Sequence, residues 1–520
     1  MNTLTNQWLP VASIAVVLAA LAMVFVSYRL HIRQHSLAAA LVVAAAALLL
    51  RGFSATDLAL HPWDERYHAL VAKHLIQQPL VPTLYADSAL PYDYTNWYSN
   101  HVWLHKPPLA LWCQAASMWA FGVAEFPMRL PSVLFATAAV LVTFAIGTLL
   151  FSRSVGLVAA VFHAFNGFVI DLASGRRASD HVDTLLVFLV AAGVLGALIA
   201  ERNLPRLTSI ILGVACGLAY LTKSLPGLLL LPIWLLISSQ MSPGRRNIRT
   251  LIISVGVALL IALPWTIYAW SVFPLEAQYE SRYAWRHVFD VLEGHGGPPW
   301  RYVADVPRYF GELVYIPFAI AIVAVVGRTA TPALRAMLLW VALPYVLFST
   351  MATKMPAYIT LAAPAMFLVQ ADCWLAIHRR WHREEKPWRK ISIAVALVVL
   401  AVSPARQLLS PTGPLERRDR DPQWTRDLRD LNRMIGNQKA VIFQVPTPIE
   451  AMFYTPYVAY EYSPTDSQFE SLRERGYAVY IYEHRTPIAG PTVKRINHVG
   501  EIITSNGRAP RVDDAVNMGR

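Results

Sequence analysis

Long apolar blocks separated by short polar links dominate the first four hundred residues. Twelve blocks stand out, at about 10–28, 36–52, 130–151, 155–171, 184–200, 207–222, 224–240, 250–270, 311–327, 334–350, 358–377 and 391–408. A helix needs about 20 apolar residues to cross a bilayer, fewer where its ends snorkel. The blocks run continuously, without the alternation of an amphipathic helix or strand. This pattern predicts a polytopic α-helical membrane protein of about 12 spans. A further stretch, 107–122, is shorter and opens on two prolines; it is either a span or an interfacial helix. The segment Met1 to Pro10 lacks Lys and Arg, so the first block does not read as a cleavable signal.

The pattern changes after Ser403. Residues 404–520 hold 30 charged residues in 117, against 48 in the preceding 403. Short β-like runs (Ala440–Gln444, Ala478–Tyr482) flank a helix-like stretch at Ser467–Arg475, which reads as a small soluble α/β domain. The expected division is therefore 1–403, transmembrane, and 404–520, outer.

The net charge of +12 could suggest a nucleic-acid partner, but the basic residues form no single patch. They fall instead in short loops at Arg29/Arg33, Arg153, Arg202/Arg206, Arg245/Arg246/Arg249, Arg328/Arg335 and Arg379 to Lys390. If 107–122 lies at the interface, all six loops share one side, as the positive-inside rule asks. That sets twelve spans with both termini outside, and no nucleic-acid role. The three cysteines sit in apolar segments and supply neither a metal site nor a redox motif.

What remains outside carries the chemistry. The first outer loop (53–129) opens with His61-Pro62-Trp63-Asp64-Glu65-Arg66-Tyr67-His68 and closes through His101 to His105-Lys106-Pro107-Pro108. Acids just beyond a span are often only a solvated helix start. Here they share a loop with histidines, aromatics and a lysine whose backbone is set by two prolines. Asp183 opens a span, where capping and function are equally good explanations. Lys106, Lys223 and Lys354 lie on the outer side against the charge bias, each beside a proline, whereas Arg301 reads more simply as snorkelling. His101 and His105 are four apart, a spacing that would suit a metal on a helix, but Pro107 follows at once. The 271–310 loop, with Glu293-Gly294-His295-Gly296-Gly297-Pro298-Pro299, fits a mobile cover or an ordinary flexible loop. Trp97, Trp103 and Trp300 could stack on sugars or form an interfacial aromatic belt.

In order along the chain stand Asp64-Glu65, Lys106-Pro107-Pro108-Leu109, Phe121-Gly122, Glu125, Arg129-Leu130-Pro131-Ser132 and Asp183. They continue with Leu221-Thr222-Lys223-Ser224-Leu225-Pro226-Gly227, Leu263-Pro264-Trp265 and Lys354-Met355-Pro356-Ala357-Tyr358. This series resembles the GT-C glycosyltransferases of the protein mannosyltransferase and lipid A aminoarabinose transferase superfamily. His105 stands where the aminoarabinose transferases usually have Glu before Lys-Pro-Pro.

The resemblance implies an integral-membrane inverting glycosyltransferase of the inner (plasma) membrane. Its donor would be a polyprenyl-phosphate sugar, and its acceptor a lipid, glycan or protein on the periplasmic or exterior side. Asp64, Glu65 and Asp183 are then the catalytic candidates, with Asp64 the first choice as base for the acceptor hydroxyl. Lys106, Tyr67, His105, Lys223, Arg301, Lys354 and Tyr358 are the binding candidates, the cations to hold and stabilise the phosphate. No cofactor is required, though a divalent ion on His105 and Glu65 or Asp64 stays open. A lipid transporter or flippase is the rival class; it predicts internal repeats and charges near the midplane. A membrane-anchored scaffold would not need the acids and lysines of the outer loops.

Overall fold

The computed structural model describes residues 10–177, 180–242, 247–410, 412–483 and 492–499. Asp180's side chain, Arg245, Arg246 and most of the chain after Glu483 lie outside the described residues. Each of the twelve apolar blocks falls on helix. Among the described residues nine helices are long and apolar enough to cross a membrane, and eleven if two bent pairs each count once. The remaining block is the 12-residue helix Leu230–Met241, about 18 Å long. It is shorter than expected because residues 224–227 turn with the preceding helix, Thr208–Gly227.

The bends have local causes. Arg153–Ala164 and Gly167–Ala173 meet at 60°. The buried Arg51 guanidinium donates to the His163 and Ala164 carbonyls at 3.2 Å, pairing groups that a helix end leaves without partners. Asn166 then caps the second half, accepting from the Val169 amide at 3.0 Å. Helix Arg301–Phe310 meets Tyr315–Val326 at 119°.

The segment Pro108–Phe121 is a 14-residue helix, about 21 Å long and short of a roughly 30 Å hydrocarbon core. The region read as a 271–310 loop contains two helices, Pro274–Phe289 and Arg301–Phe310. The first buries Glu276, Ala277, Glu280 and Tyr283, one helical face carrying two acids, so a search for apolar runs passes over it.

The C-terminal segment builds a four-stranded sheet from β1 (Ala440–Phe443), β2 (Val458–Ala459), β3 (Ala478–Glu483) and β4 (Thr492–Arg495), in the order β2-β1-β3-β4. β1 is parallel to β2 and β3, and β4 is antiparallel to β3. One hydrophobic core runs through this sheet and the first outer loop. It joins Leu70, Trp103 and Leu111 to Val441, Phe443 and Ile481. A separate core around Trp234, Trp340 and Phe367 binds the spans.

Candidate active site

The helix Asp64–Leu75 starts the site. Trp63, just before it, has φ +73° and ψ −136°, a conformation few side chains tolerate. The acids at its first two positions face the positive end of the helix dipole. From there the two carboxylates diverge.

Glu65 turns inward and is fully buried. Arg129 grips it with Nε at 2.6 Å from Oε1 and Nη2 at 3.0 Å from Oε2. The same guanidinium donates to the carbonyls of Ala55, Asp57 and Ala59 at 2.6 to 3.0 Å, fixing the turn that leads into the helix. His61 Nδ1 lies 2.7 Å from Glu65, and His181 Nε2 lies 3.3 Å from it. Gly175 closes the remaining side: at φ +78°, a Cβ there would sit 2.0 Å from Glu65 Oε1. Burial by itself would raise the Glu65 carboxyl, but Arg129 and His61 hold it well below the usual carboxylate range. Burial would likewise lower His61, yet Glu65 and Asp57 raise it overall.

Asp64 is 8% exposed and faces Lys106, whose Nζ lies 3.9 Å from Oδ1. Lys106 is held by the step that follows, since Pro107 is extended (φ −61°, ψ 158°) and Pro108 starts the next helix. The second acid–lysine pair is tighter. Lys223 Nζ donates to both Asp183 oxygens, at 2.6 and 2.7 Å. Lys223 can reach because its helix breaks there, with Lys223 at φ −149° and Ser224 at φ 42°, ψ −125°. The Tyr358 ring lies 5.0 Å from the same ammonium. Asp183, Lys223 and Tyr358 are all within electrostatic reach of Asp64, and the first two also feel Lys106. Five candidates from five separate segments thus share one chamber.

Lys354 and Arg301 border it. The Lys354 ammonium donates to the Met351 carbonyl. Its segment straps down the preceding loop, with the Ala352, Thr353 and Lys354 amides donating to the Val288, His287 and His295 carbonyls at 2.6 to 3.0 Å. That strap sets the His295 ring 6.5 Å from Trp63. Among the described residues Arg301 bonds locally, to the Gly296 carbonyl and to Asp305 at 3.5 Å. Beyond Lys354 opens a cavity of 830 Å³ walled by Val288, Phe289, Val303, Tyr345 and Val346.

Tyr67 and His105 meet on Trp97. His105 stacks on its face at 4.4 Å and Tyr67 meets it edge-on at 5.0 Å. Burial pushes the Tyr67 hydroxyl up to about 12. His105 Nδ1 pairs with Glu280 Oε2 at 3.0 Å, so a carboxylate from a distant helix stands beside the histidine. Sequence reasoning missed Glu280; its signal was the buried i, i+4, i+7 face of Glu276, Glu280 and Tyr283. It also passed over Arg129 and His181 as partners of Glu65. Trp103 is fully buried, and Trp300 is 67% exposed.

The donor set does not suit a resident metal. Among the described residues no three His, Cys, Asp or Glu side chains converge on a point that could hold one. Glu65 already carries an arginine, and His105 pairs with Glu280 instead.

A polytopic helical membrane protein with a charged chamber at the ends of its spans is the class these features define. Residues 105–270 match the family Dolichyl-phosphate-mannose-protein mannosyltransferase. An undecaprenyl phosphate-alpha-4-amino-4-deoxy-L-arabinose arabinosyl transferase of Yersinia enterocolitica is 26% identical over 353 residues, covering 64% of this chain and 62% of the relative. The enzyme of the same name from Yersinia pestis (strain Pestoides F) is 24% identical, covering 60% of this chain and 55% of its own. The chain thus matches little more than half the length of these relatives. In fold it is similar to ArnT from Cupriavidus metallidurans bound to undecaprenyl phosphate, with TM-score 0.62 and 15% identity over 91% of this chain and 99% of that one. It is also similar to the oligosaccharyltransferase AglB from Archaeoglobus fulgidus, with TM-score 0.58 and 12% identity over 85% of this chain and 69% of that one. These likenesses agree with the resemblance to the GT-C glycosyltransferases carried by the sequence motifs.

Proposed function

We propose that this protein is an inverting glycosyltransferase of the inner (plasma) membrane. It moves a sugar from a polyprenyl-phosphate donor to a lipid, glycan or protein acceptor on the periplasmic side. The observation that carries this reading is the pairing of Asp64 with Lys106 at 3.9 Å beside the Asp183–Lys223 pair. Two acid–lysine pairs so near each other offer both a base and phosphate-binding cations. The apolar 830 Å³ cavity ending at Lys354 suits an isoprenoid chain. The names of the relatives, which act on undecaprenyl-phosphate sugars, support the donor class.

In the proposed reaction the acceptor hydroxyl gives its proton to Asp64 as its oxygen bonds to the anomeric carbon. The bond from that carbon to the phosphate oxygen breaks, and its electron pair stays on the phosphate. Lys106 balances the charge that develops there, aided by Lys223 and Lys354. A single displacement inverts the anomeric centre. Asp183 holds Lys223 in the wall of the chamber and Tyr358 packs beneath it. Trp97 carries Tyr67 and His105, which supply further contacts for a substrate. The charges cluster at the ends of the spans, which supports an enzyme over a transporter.

The test is transfer of radiolabelled sugar from polyprenyl phosphate by the purified protein, wild type against Lys106→Ala. The reading expects release of the carrier phosphate and near-complete loss in the variant. Full activity in a folded Lys106→Ala protein removes that lysine from the mechanism, and no release by the wild type removes the function.

A further inference from the structure

A second cavity, of 620 Å³, opens away from the chamber, between the first outer loop and the C-terminal segment. Its volume is that of an ordinary small-molecule site, roughly 300–1,000 Å³. Lys73, His74 and Gln77 from the end of the Asp64–Leu75 helix form one wall, and Asp87, Glu125 and Arg429 stand on the others.

The polar groups of this cleft divide by charge. Its cations are engaged. The Lys73 ammonium donates to the carbonyls of Met452, Phe453 and Thr455 at 2.7 to 3.0 Å. Arg429 bonds Glu125 and the Leu58 carbonyl, and lies 3.5 Å from Asp421. What is left on offer is chiefly acceptors. His74 uses Nδ1 on the Thr83 carbonyl at 2.9 Å, and burial lowers its pKa to about 4, so Nε2 presents a lone pair. The Asp87 side chain is 46% exposed; Oδ2 accepts from the Tyr477 hydroxyl and Lys439 and Arg475 lie 3.9 Å away, which leaves the carboxylate's further lone pairs as acceptors. The Gln77 amide, on an exposed residue, can both donate and accept. An oxyanion has no proton to give such a set and would be repelled by Asp87. A ligand rich in hydroxyl groups fits it.

The cleft is tied to the chamber by one rigid element. His74 is ten residues from Asp64 on the same helix, roughly 15 Å along its axis. Glu125, on its far wall, lies one helical turn before Arg129. We propose that this cleft holds the neutral saccharide part of the acceptor, a few sugar units away from the hydroxyl that reacts at Asp64. This deepens the glycosyltransferase reading and rests on it.

Two substitutions fill the cleft from different walls without touching the chamber: Ala86→Trp and Ala124→Trp. Both alanines line the cavity. The first measurement needs no turnover: the full-length protein in detergent is applied to an array of neutral and anionic oligosaccharides. Retention on neutral glycans, lost tenfold or more in both variants, is the expected result. No retention, preference for anionic glycans, or equal retention by the variants overturns the proposal. The second compares acceptor transfer with donor hydrolysis. The variants should raise the acceptor KM at least tenfold while sugar release to water is unchanged; an equal fall in both overturns the proposal. Offering membrane glycolipids and glycopeptides separately tells which carries the saccharide. A wild type that binds neutral glycans but never turns over a polyprenyl-phosphate sugar sinks the glycosyltransferase reading and leaves the cleft standing.

Discussion

Asp64 and Glu65 are one residue apart, yet they inhabit opposite kinds of surroundings. Glu65 is enclosed by Arg129, His61, His181 and the bare face of Gly175. Asp64 looks onto Lys106 across 3.9 Å. A buried ion pair this well bonded is rigid, and removing either partner leaves a charge in a medium that solvates it poorly. At 3.9 Å the Asp64–Lys106 pair is beyond direct hydrogen-bond distance, so its members are less firmly locked to each other. The comparison teaches how two adjacent acids can divide the work: Glu65 fixes the start of the helix, and that fixed start aims Asp64.

The strongest way to break the comparison is at the looser pair. Lys106→Ala and Asp64→Asn should each lower transfer by about 10²–10⁴-fold, while thermal melting of the purified proteins stays near wild type. A variant that both melts early and loses activity would move its residue to the structural side. Next in size is Arg129→Met, which should cost about 3–5 kcal/mol by stranding Glu65. Joining it to Glu65→Leu should recover much of that loss in a melting assay, with activity still reduced because Asp64 is no longer aimed. A smaller effect is expected for Gly175→Ala. Its Cβ meets Glu65 and its φ is +78°, so roughly 1–3 kcal/mol of strain should appear as a lowered Tm.

The mildest probe is pH. His61 has a raised pKa in the folded protein, so its stabilising contribution is full below the unfolded value of about 6.5. That contribution fades as pH rises through the higher folded value. Melting temperature should therefore fall as pH rises above about 6.5, and His61→Gln should flatten the slope. A slope unchanged by the substitution would assign it to another group.

Much of the fold was legible because membrane spans announce themselves by length alone. Every apolar block became helix, and the runs at 440–444 and 478–482 became β1 and β3. The helix Pro274–Phe289 was not legible as such, since two of its buried residues are acids. Those acids have their reason only in space, where Glu280 meets His105 across 175 positions of sequence. The same holds for the choice between Asp64 and Glu65. Nothing local separates them; the difference is made by Arg129 and His181, which lie 64 and 116 residues from Glu65. Lys106 and Lys223 stood out because a cation on the wrong side of the charge bias has to be explained, and the helix break at Lys223–Ser224 supplies part of that explanation.

The core shared by the first outer loop and the C-terminal sheet bears on how the protein is made. Trp103 and Leu428 belong to the same cluster but are 325 residues apart in the chain. At the usual pace of about 5–20 residues per second, the ribosome needs roughly 15–65 s to supply the second half of that cluster after the first. Over that interval the loop waits with its greasy side uncovered, while the spans that follow it are still being made. Biogenesis of this protein should therefore depend on a holding chaperone on the side where the loop emerges, and chains arrested before β1 should be prime targets for proteolysis there.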